Sequence, residues 1–173
     1  GLAGGSSNAA GVLVALNELF EANLTEQQLC EIGVKLGADV PFCLIGGTVL
    51  AEGIGEILMP LPNLSECYIV IAKGEKGVST TAAFEIYDSL IVTKHPDCDE
   101  MIAAIAVGNV ERISELCMNV LENTADISDI DKIKQVMIEN NALCAVMTGS
   151  GSAVYGIFQK KKYASNCLDE LKD

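Results

Sequence analysis

Tryptophan is absent from the 173 residues, histidine occurs once, and Phe and Tyr occur four times each. A core without large aromatics has to be filled by Leu, Ile, Val and Ala; hydrophobic residues make up 50%, which is enough to fill one and excludes wholesale disorder. Basic residues are also scarce: 11 Lys and Arg face 24 Asp and Glu, for a formal net charge of −13. Such a surface repels a phosphate backbone and argues against nucleic-acid binding. It is equally unhelpful to a small phosphorylated ligand, which would need local donors, a helix end or a metal ion. The lone His95 and the lack of any C-x-x-C pair leave little for a zinc site. Cys30, Cys43, Cys67, Cys98, Cys117, Cys144 and Cys167 are odd in number and scattered. That fits free thiols in a reducing, cytoplasmic compartment better than a disulfide framework. No apolar run reaches the roughly 18 residues that a membrane span requires, so a membrane partner is not expected.

What is present begins abruptly. The chain opens without Met on Gly1-Leu2-Ala3-Gly4-Gly5-Ser6-Ser7-Asn8, a glycine-rich turn leading into an apolar helix, and is expected to be a piece of a larger protein. Ala9, Val12, Leu13, Leu16, Leu19 and Phe20 predict one apolar face over residues 8–21, with Ser6 or Ser7 as cap. Thr25-x-x-Gln28 is a capping box for a second helix running to about Leu36, with Leu29, Ile32 and Leu36 inward and Gly37 as its stop. Phe42–Ile45 reads as a short apolar segment, broken by Gly46-Gly47 and resumed as a strand over 48–52. The turn Gly53-Ile54-Gly55 then makes a β-hairpin with 56–61. Pro60-Leu61-Pro62-Asn63 marks a domain boundary, giving residues 1–62 and 63–173. Beyond it the pattern predicts a strand over 67–73, helices near 80–89, 99–107, 110–123 and 131–140, and a loop over 125–129. Strands over 145–148 and 153–158 and a helix over 163–171 follow. Mixed strands and helices suggest an α+β layer with helices on one face of a sheet. The final helix has no strand after it, so the C-terminus is also expected to be cut.

Three motifs carry chemistry. The opening glycines allow φ > 0 and close backbone approach. Converging N–H groups, the helix dipole and the Ser6 and Ser7 hydroxyls could hold phosphate, or the turn could simply cap the helix. It is neither a Walker A loop nor G-x-G-x-x-G, and it brings no Lys. Asp39, before Val40-Pro41, is either a cap or a carboxylate that orients a hydroxyl and accepts its proton. Thr148-Gly149-Ser150-Gly151-Ser152, between two apolar strands, is either a permissive hairpin turn or a second backbone surface closing over a ligand.

Taken together, these motifs make the chain resemble the GHMP small-molecule kinases, the family of galactokinase, homoserine kinase and mevalonate kinase. The opening is similar to that family's glycine-serine phosphate loop, and Thr148–Ser152 to its later glycine turn. Leu36-Gly37-Ala38-Asp39-Val40-Pro41-Phe42, the run GTVLAEGIGE over 47–56, and Gly77-Val78-Ser79-Thr80 narrow the resemblance to one branch. That branch phosphorylates the 2-hydroxyl of 4-(cytidine 5'-diphospho)-2-C-methyl-D-erythritol in non-mevalonate isoprenoid biosynthesis; a mevalonate or homoserine kinase is the alternative. The resemblance implies an α+β fold, with part of a ribosomal-S5-domain-2-like N-terminal domain and a ferredoxin-like C-terminal domain. It implies ATP and Mg²⁺ as cofactors, with no metal ligand assigned. Asp39 would be the catalytic group. Leu2, Ala3, Gly4, Gly5, Ser6, Ser7 and Asn8 would wrap the ATP phosphates, and Asp39, Gly53, Ile54, Gly149 and Ser150 would meet the substrate. The family's Lys-bearing first motif and its cytosine pocket would lie ahead of Gly1, and neither Lys73 nor Lys76 replaces that Lys. The isolated 173 residues are therefore expected to be inactive and to expose the apolar face of the first helix.

Overall fold

Local sequence signals set the first unit, Ala3–Asn63, in a computed structural model that describes residues 2–91, 94–124 and 128–172. Helix α1 (Gly4–Leu19) starts earlier than the apolar pattern predicts. Its N-cap is Ala3, in the left-handed region at φ 46, with no side-chain cap, so Ser6 and Ser7 sit within the first turn rather than capping it. The Ala3 carbonyl accepts the Ser7 N–H at 2.8 Å, which closes the first turn around Gly4, Gly5 and Ser6. Only Ala10 of α1 is buried; the helix packs on the next two helices of the unit, while Val12, Leu16, Leu19 and the following Phe20 are exposed. After α1 the Asn17 side chain pairs with both backbone groups of Leu24, and this fixes the return of the chain.

Helix α2 (Glu26–Gly33) begins at the predicted capping box, with Thr25 and Gln28 exchanging both bonds. It ends at Gly33 rather than near Leu36. A Cβ on Gly33 would stand 2.9 Å from Val40 Cγ1, so this glycine is where the next helix packs. Leu36 is consequently exposed, and Ile32 lies at the margin of exposure. The segment expected to be extended is instead a helix, α3 (Val40–Ile45), with Asp39 as its N-cap residue. Pro41 favours this because a helix's first turn leaves N–H groups unpaired and loses nothing to proline there. Strands β1 (Thr48–Glu52) and β2 (Ile57–Leu61) pair antiparallel in the predicted hairpin, with Glu52 opposite Ile57.

The second unit, from Leu64 onward, is built on a three-stranded antiparallel sheet in the order β3-β5-β4: β3 (Tyr68–Lys73), β4 (Cys144–Met147) and β5 (Ala153–Phe158). The central strand β5 is almost wholly buried. Helix α7 (Ser128–Glu139) and α8 (Lys161–Glu170) cover one face through Met137, Ala164 and Cys167, which meet Val70, Met147, Val154 and Phe158. The opposite face is not left bare: Val110 packs there on Cys144, Val146 and Ile157. Helices α4 (Thr80–Ser89), α5 (Cys98–Ala106) and α6 (Val110–Leu116) start at side-chain caps from Ser79, Asp97 and Asn109. The helix expected over 110–123 breaks at Cys117, whose backbone is extended, and resumes as a 3₁₀ turn, Val120–Thr124. Asn119 starts that turn by accepting the Leu121 N–H on its side chain at 3.0 Å. Of the loop expected over 125–129, Ser128 and Asp129 belong to α7 and the rest lies outside the described residues.

Candidate functional site

Three segments of the first unit converge. The first turn of α1 carries Gly4, Gly5 and Ser6, whose N–H groups precede the first intrahelical bond, donated by Ser7. A Cβ added at Gly4 or Gly5 would meet nothing within 4 Å. Each glycine in a helix costs about 0.5–1 kcal/mol relative to alanine, and nothing in the unit's own packing asks for these two. Gly11 is equally open, but it lies beyond the turn whose N–H groups are unpaired. The opening glycines could adopt φ > 0, but the left-handed residue is Ala3, and Gly4 and Gly5 are helical. Open backbone and unpaired donors at a helix N-terminus together suit an anion lying against the chain.

The second segment is the Asp39 turn. A Cβ at Gly37 would stand 3.8 Å from Ser6 Oγ, so the hydroxyl of the first turn lies against this turn. Asp39 is exposed, and its side chain makes no capping bond; only its carbonyl is used, accepting the Cys43 N–H at 3.1 Å. Of the two roles open to this carboxylate from sequence, capping is not the one it performs. Its charge, after burial, helps push the Cys43 thiol up from the ordinary cysteine value.

The hairpin turn is the third segment. Gly53 and Gly55 have φ +67 and +114, conformations that favour glycine. The Glu56 carboxylate folds over the turn and accepts the Ile54 N–H at 2.7 Å. A Cβ on Gly55 would come within 3.0 Å of the Ala38 carbonyl oxygen, so the hairpin turn is seated directly on the residue before Asp39. Ile54 is largely exposed beside it, as is Leu2 at the start of the chain.

Gly149 and Ser150 belong to the other unit. The turn between β4 and β5 is closed by Thr148 N–H to the Ala153 carbonyl at 2.8 Å. Ser150 Oγ and Thr80 Oγ1 share a hydrogen bond of 2.8 Å, and Ser152 Oγ donates to the Lys76 carbonyl. The segment Gly77-Val78-Ser79-Thr80 is thus tied to the glycine turn through its last residue. Lys76 enters through its backbone, so its charge remains outside this arrangement. Asn119 also holds the turn, by a bond to the Gly149 carbonyl that the sequence reading missed because residues 110–123 looked like unbroken helix.

Among the described residues no three His, Cys, Asp or Glu side chains converge to hold a metal ion. The groups that would suit a magnesium ion carried in on phosphates are single hard oxygens: the hydroxyls of Ser6 and Ser7 and the Asp39 carboxylate. The most perturbed titratable groups lie elsewhere, on the α6 side of the sheet. Hydrogen bonds from Cys144, and more weakly from Tyr155, pull the Cys117 thiol down to about 6 against the effect of burial. The Cys144 thiol is pushed up by its bond to Cys117 and by burial, and the Tyr155 hydroxyl is pushed up chiefly by burial.

Comparison with known proteins gives two family matches: GHMP kinases N terminal domain over residues 1–47 and GHMP kinases C terminal over residues 101–173, together more than half of the chain. A 4-diphosphocytidyl-2-C-methyl-D-erythritol kinase of Caldicellulosiruptor bescii is 51% identical over 99% of the chain, and one of Lachnoclostridium phytofermentans is 44% identical over 99%. The chain spans 61% and 60% of the lengths of these two relatives. A crystal structure of 4-(cytidine 5'-diphospho)-2C-methyl-D-erythritol kinase superposes over 98% of this chain and 61% of that one, at TM-score 0.79 and 29% identity. A homoserine kinase from Cytophaga hutchinsonii superposes over 96% of this chain and 59% of that one, at TM-score 0.83 and 19% identity, a likeness of fold alone.

Proposed function

The chain belongs to the GHMP kinases, and from that premise we propose that the protein carrying these residues transfers the γ-phosphoryl group of ATP to the 2-hydroxyl of 4-(cytidine 5'-diphospho)-2-C-methyl-D-erythritol. The observation that carries this reading is the convergence, within one unit, of an open helix N-terminus, an uncapped carboxylate and the hairpin turn seated behind it.

The N–H groups of Gly4, Gly5 and Ser6 hold phosphate oxygens where the helix dipole favours negative charge. Leu2, Ala3, Ser7 and Asn8 complete that wrap, with the Ser6 and Ser7 hydroxyls as further donors. Asp39 accepts the hydrogen of the substrate 2-hydroxyl and aims its oxygen at the γ-phosphorus. As the new O–P bond forms and the bond to the β,γ-bridging oxygen breaks, the proton passes to the carboxylate. Ser6, Ser7 or Asp39 would be the protein contact for a magnesium ion carried by the phosphates, which would neutralise charge on the transferring group. Gly53 and Ile54 meet the substrate from the hairpin turn, and Gly149 and Ser150 are further substrate contacts. Two or more fixed backbone surfaces and one carboxylate suffice because phosphoryl transfer asks mainly for positioning and charge stabilisation.

The test is steady-state kinetics of the full-length enzyme and its Asp39→Asn and Asp39→Ala variants, with cytidine diphospho-methylerythritol, mevalonate and homoserine each offered as acceptor. Turnover is expected with the cytidine compound alone, falling by about 10²–10⁴ in kcat in both variants. Undiminished turnover in the variants removes Asp39 from the mechanism, and preference for another acceptor overturns the substrate.

A further inference from the structure

The glycine turn after β4 is held by a segment that is remote in sequence. Among the described residues β4 is an edge strand, paired with β5 alone, so the backbone groups on its outer side need partners from elsewhere. The 3₁₀ segment supplies them as side chains. Glu122 Oε1 accepts the Met147 N–H at 2.7 Å, while its other oxygen takes Lys134 Nζ at 2.7 Å. Asn119 Nδ2 donates to the Met147 carbonyl at 2.8 Å and to the Gly149 carbonyl at 2.8 Å. Its Oδ1 accepts the Leu121 N–H at 3.0 Å, which fixes the plane of the amide.

One planar amide therefore sets the relation between the last residue of the strand and the second residue of the turn. The chain between the two carbonyls has little choice left: Thr148 N–H is taken by Ala153, and Gly149 sits at φ +58. We propose that Asn119 is a positioning residue for phosphoryl transfer, acting through Gly149 and Ser150 by fixing where their backbone stands. The proposal rests on the reading above that these two residues meet the substrate. The residue type follows from the task. An amide offers two donors and one acceptor on a rigid fork, and all three are used here. A carboxylate of the same size would set an oxygen against two carbonyl oxygens. Lys134 holds Glu122 from the α7 side, so the clamp is anchored on the helix that covers the sheet.

The test compares the full-length enzyme with Asn119→Ala and the near-isosteric Asn119→Asp, reading kcat and KM, thermal midpoint, and amide hydrogen exchange over 148–158. A loss of about 10- to 100-fold in kcat is expected, the scale of a misplacement near 1 Å, at temperatures where both variants remain folded. Exchange is expected to quicken at Gly149–Gly151 and to stay unchanged in β5. A lowered midpoint with kcat unchanged overturns the proposal, as does unchanged exchange in the turn. A wild-type enzyme inactive on the cytidine substrate, with exchange in the turn still quickened by the substitutions, keeps the clamp and removes the function it was proposed to serve.

Discussion

Replacing Gly55 with alanine tests whether the hairpin turn supports the Asp39 carboxylate. Two costs add at this position. Its φ of +114 lies where L side chains are rarely found, and holding a residue in such a region costs about 1–3 kcal/mol. The new Cβ would also stand 3.0 Å from the Ala38 carbonyl oxygen, closer than ordinary contact, and the atom it meets is backbone rather than the end of a flexible side chain. A loss of about 2–3 kcal/mol is expected, on the order of a 30- to 150-fold change in the folding equilibrium. Relief of the contact requires Ala38 to move by a few tenths of an ångström, and Asp39 follows it directly in the chain. A drop of about tenfold in kcat should therefore accompany the loss of stability. Gly46→Ala separates the two costs. Gly46 also has a positive φ, +69, but its Cβ would meet nothing within 4 Å. That variant should lose stability and keep kcat. Urea unfolding and steady-state kinetics of the full-length enzyme read both quantities. If Gly55→Ala keeps wild-type stability and turnover, or if Gly46→Ala loses as much kcat as Gly55→Ala, the argued link between the two turns is wrong.

Two further outcomes follow from the same structure. Thr25→Ala removes one bond of the α2 capping box and leaves the Gln28 side chain without its reciprocal partner; it should lower unfolding free energy by about 1 kcal/mol in urea titrations without changing kcat, and no shift in midpoint would contradict the cap. Its hydrogen bond with Cys144 holds the Cys117 thiol at about 6 in the folded protein, below the ordinary 9.0, so between those values the unfolded chain binds more protons and stability should rise with pH. That contribution is complete above about pH 9 and lost as pH falls through 6, while the raised Cys144 thiol reverses the trend above 9. Urea midpoints at pH 6, 8 and 10 should show this dome in the wild type and not in Cys117→Ala; equal profiles in the two proteins would remove the thiol pair as its cause.

Signals confined to a few adjacent residues were legible in the sequence. The Thr25–Gln28 box, the hairpin of β1 and β2, and the strand β3 all depend on neighbours within a turn or two. What failed depended on distant contacts. The second helix stops at Gly33 because α3 packs there, and no local signal marks that. Phe42–Ile45 carries an apolar run that suits a strand or a buried helix equally, and Pro41 in the first turn decides for helix. The break at Cys117 comes just before Asn119, whose side chain reaches Met147 in β4 and Gly149 in the turn after it, nearly thirty positions on. Within the site, Ser6 and Asp39 were visible as chemistry. The seating of Gly55 on Ala38 was not, because a glycine in a turn reads the same whether it serves only the turn or also a neighbour.

The acidic balance and the proposed phosphate chemistry can be reconciled by where the fixed charges and the fixed donors sit. Among the described residues, the ion pairs of Arg112 with Glu100 and Glu115, Lys134 with Glu122, and Lys172 with Asp169 belong to the second unit and bind its helices and 3₁₀ segment to themselves or to one another. The converging segments of the first unit instead present backbone N–H groups and hydroxyls, and their geometry is set by contacts such as Gly55 against Ala38 and Gly33 against Val40. Dipoles held in this way need no reorganisation to meet a charged group, and their effect is confined to the first turn of a helix rather than spread over the surface. A net charge of −13 is therefore compatible with binding phosphate at that point, provided that cations accompany the ligand to offset the long-range repulsion. Magnesium bound to the phosphates would meet that condition without an acidic cage on the protein.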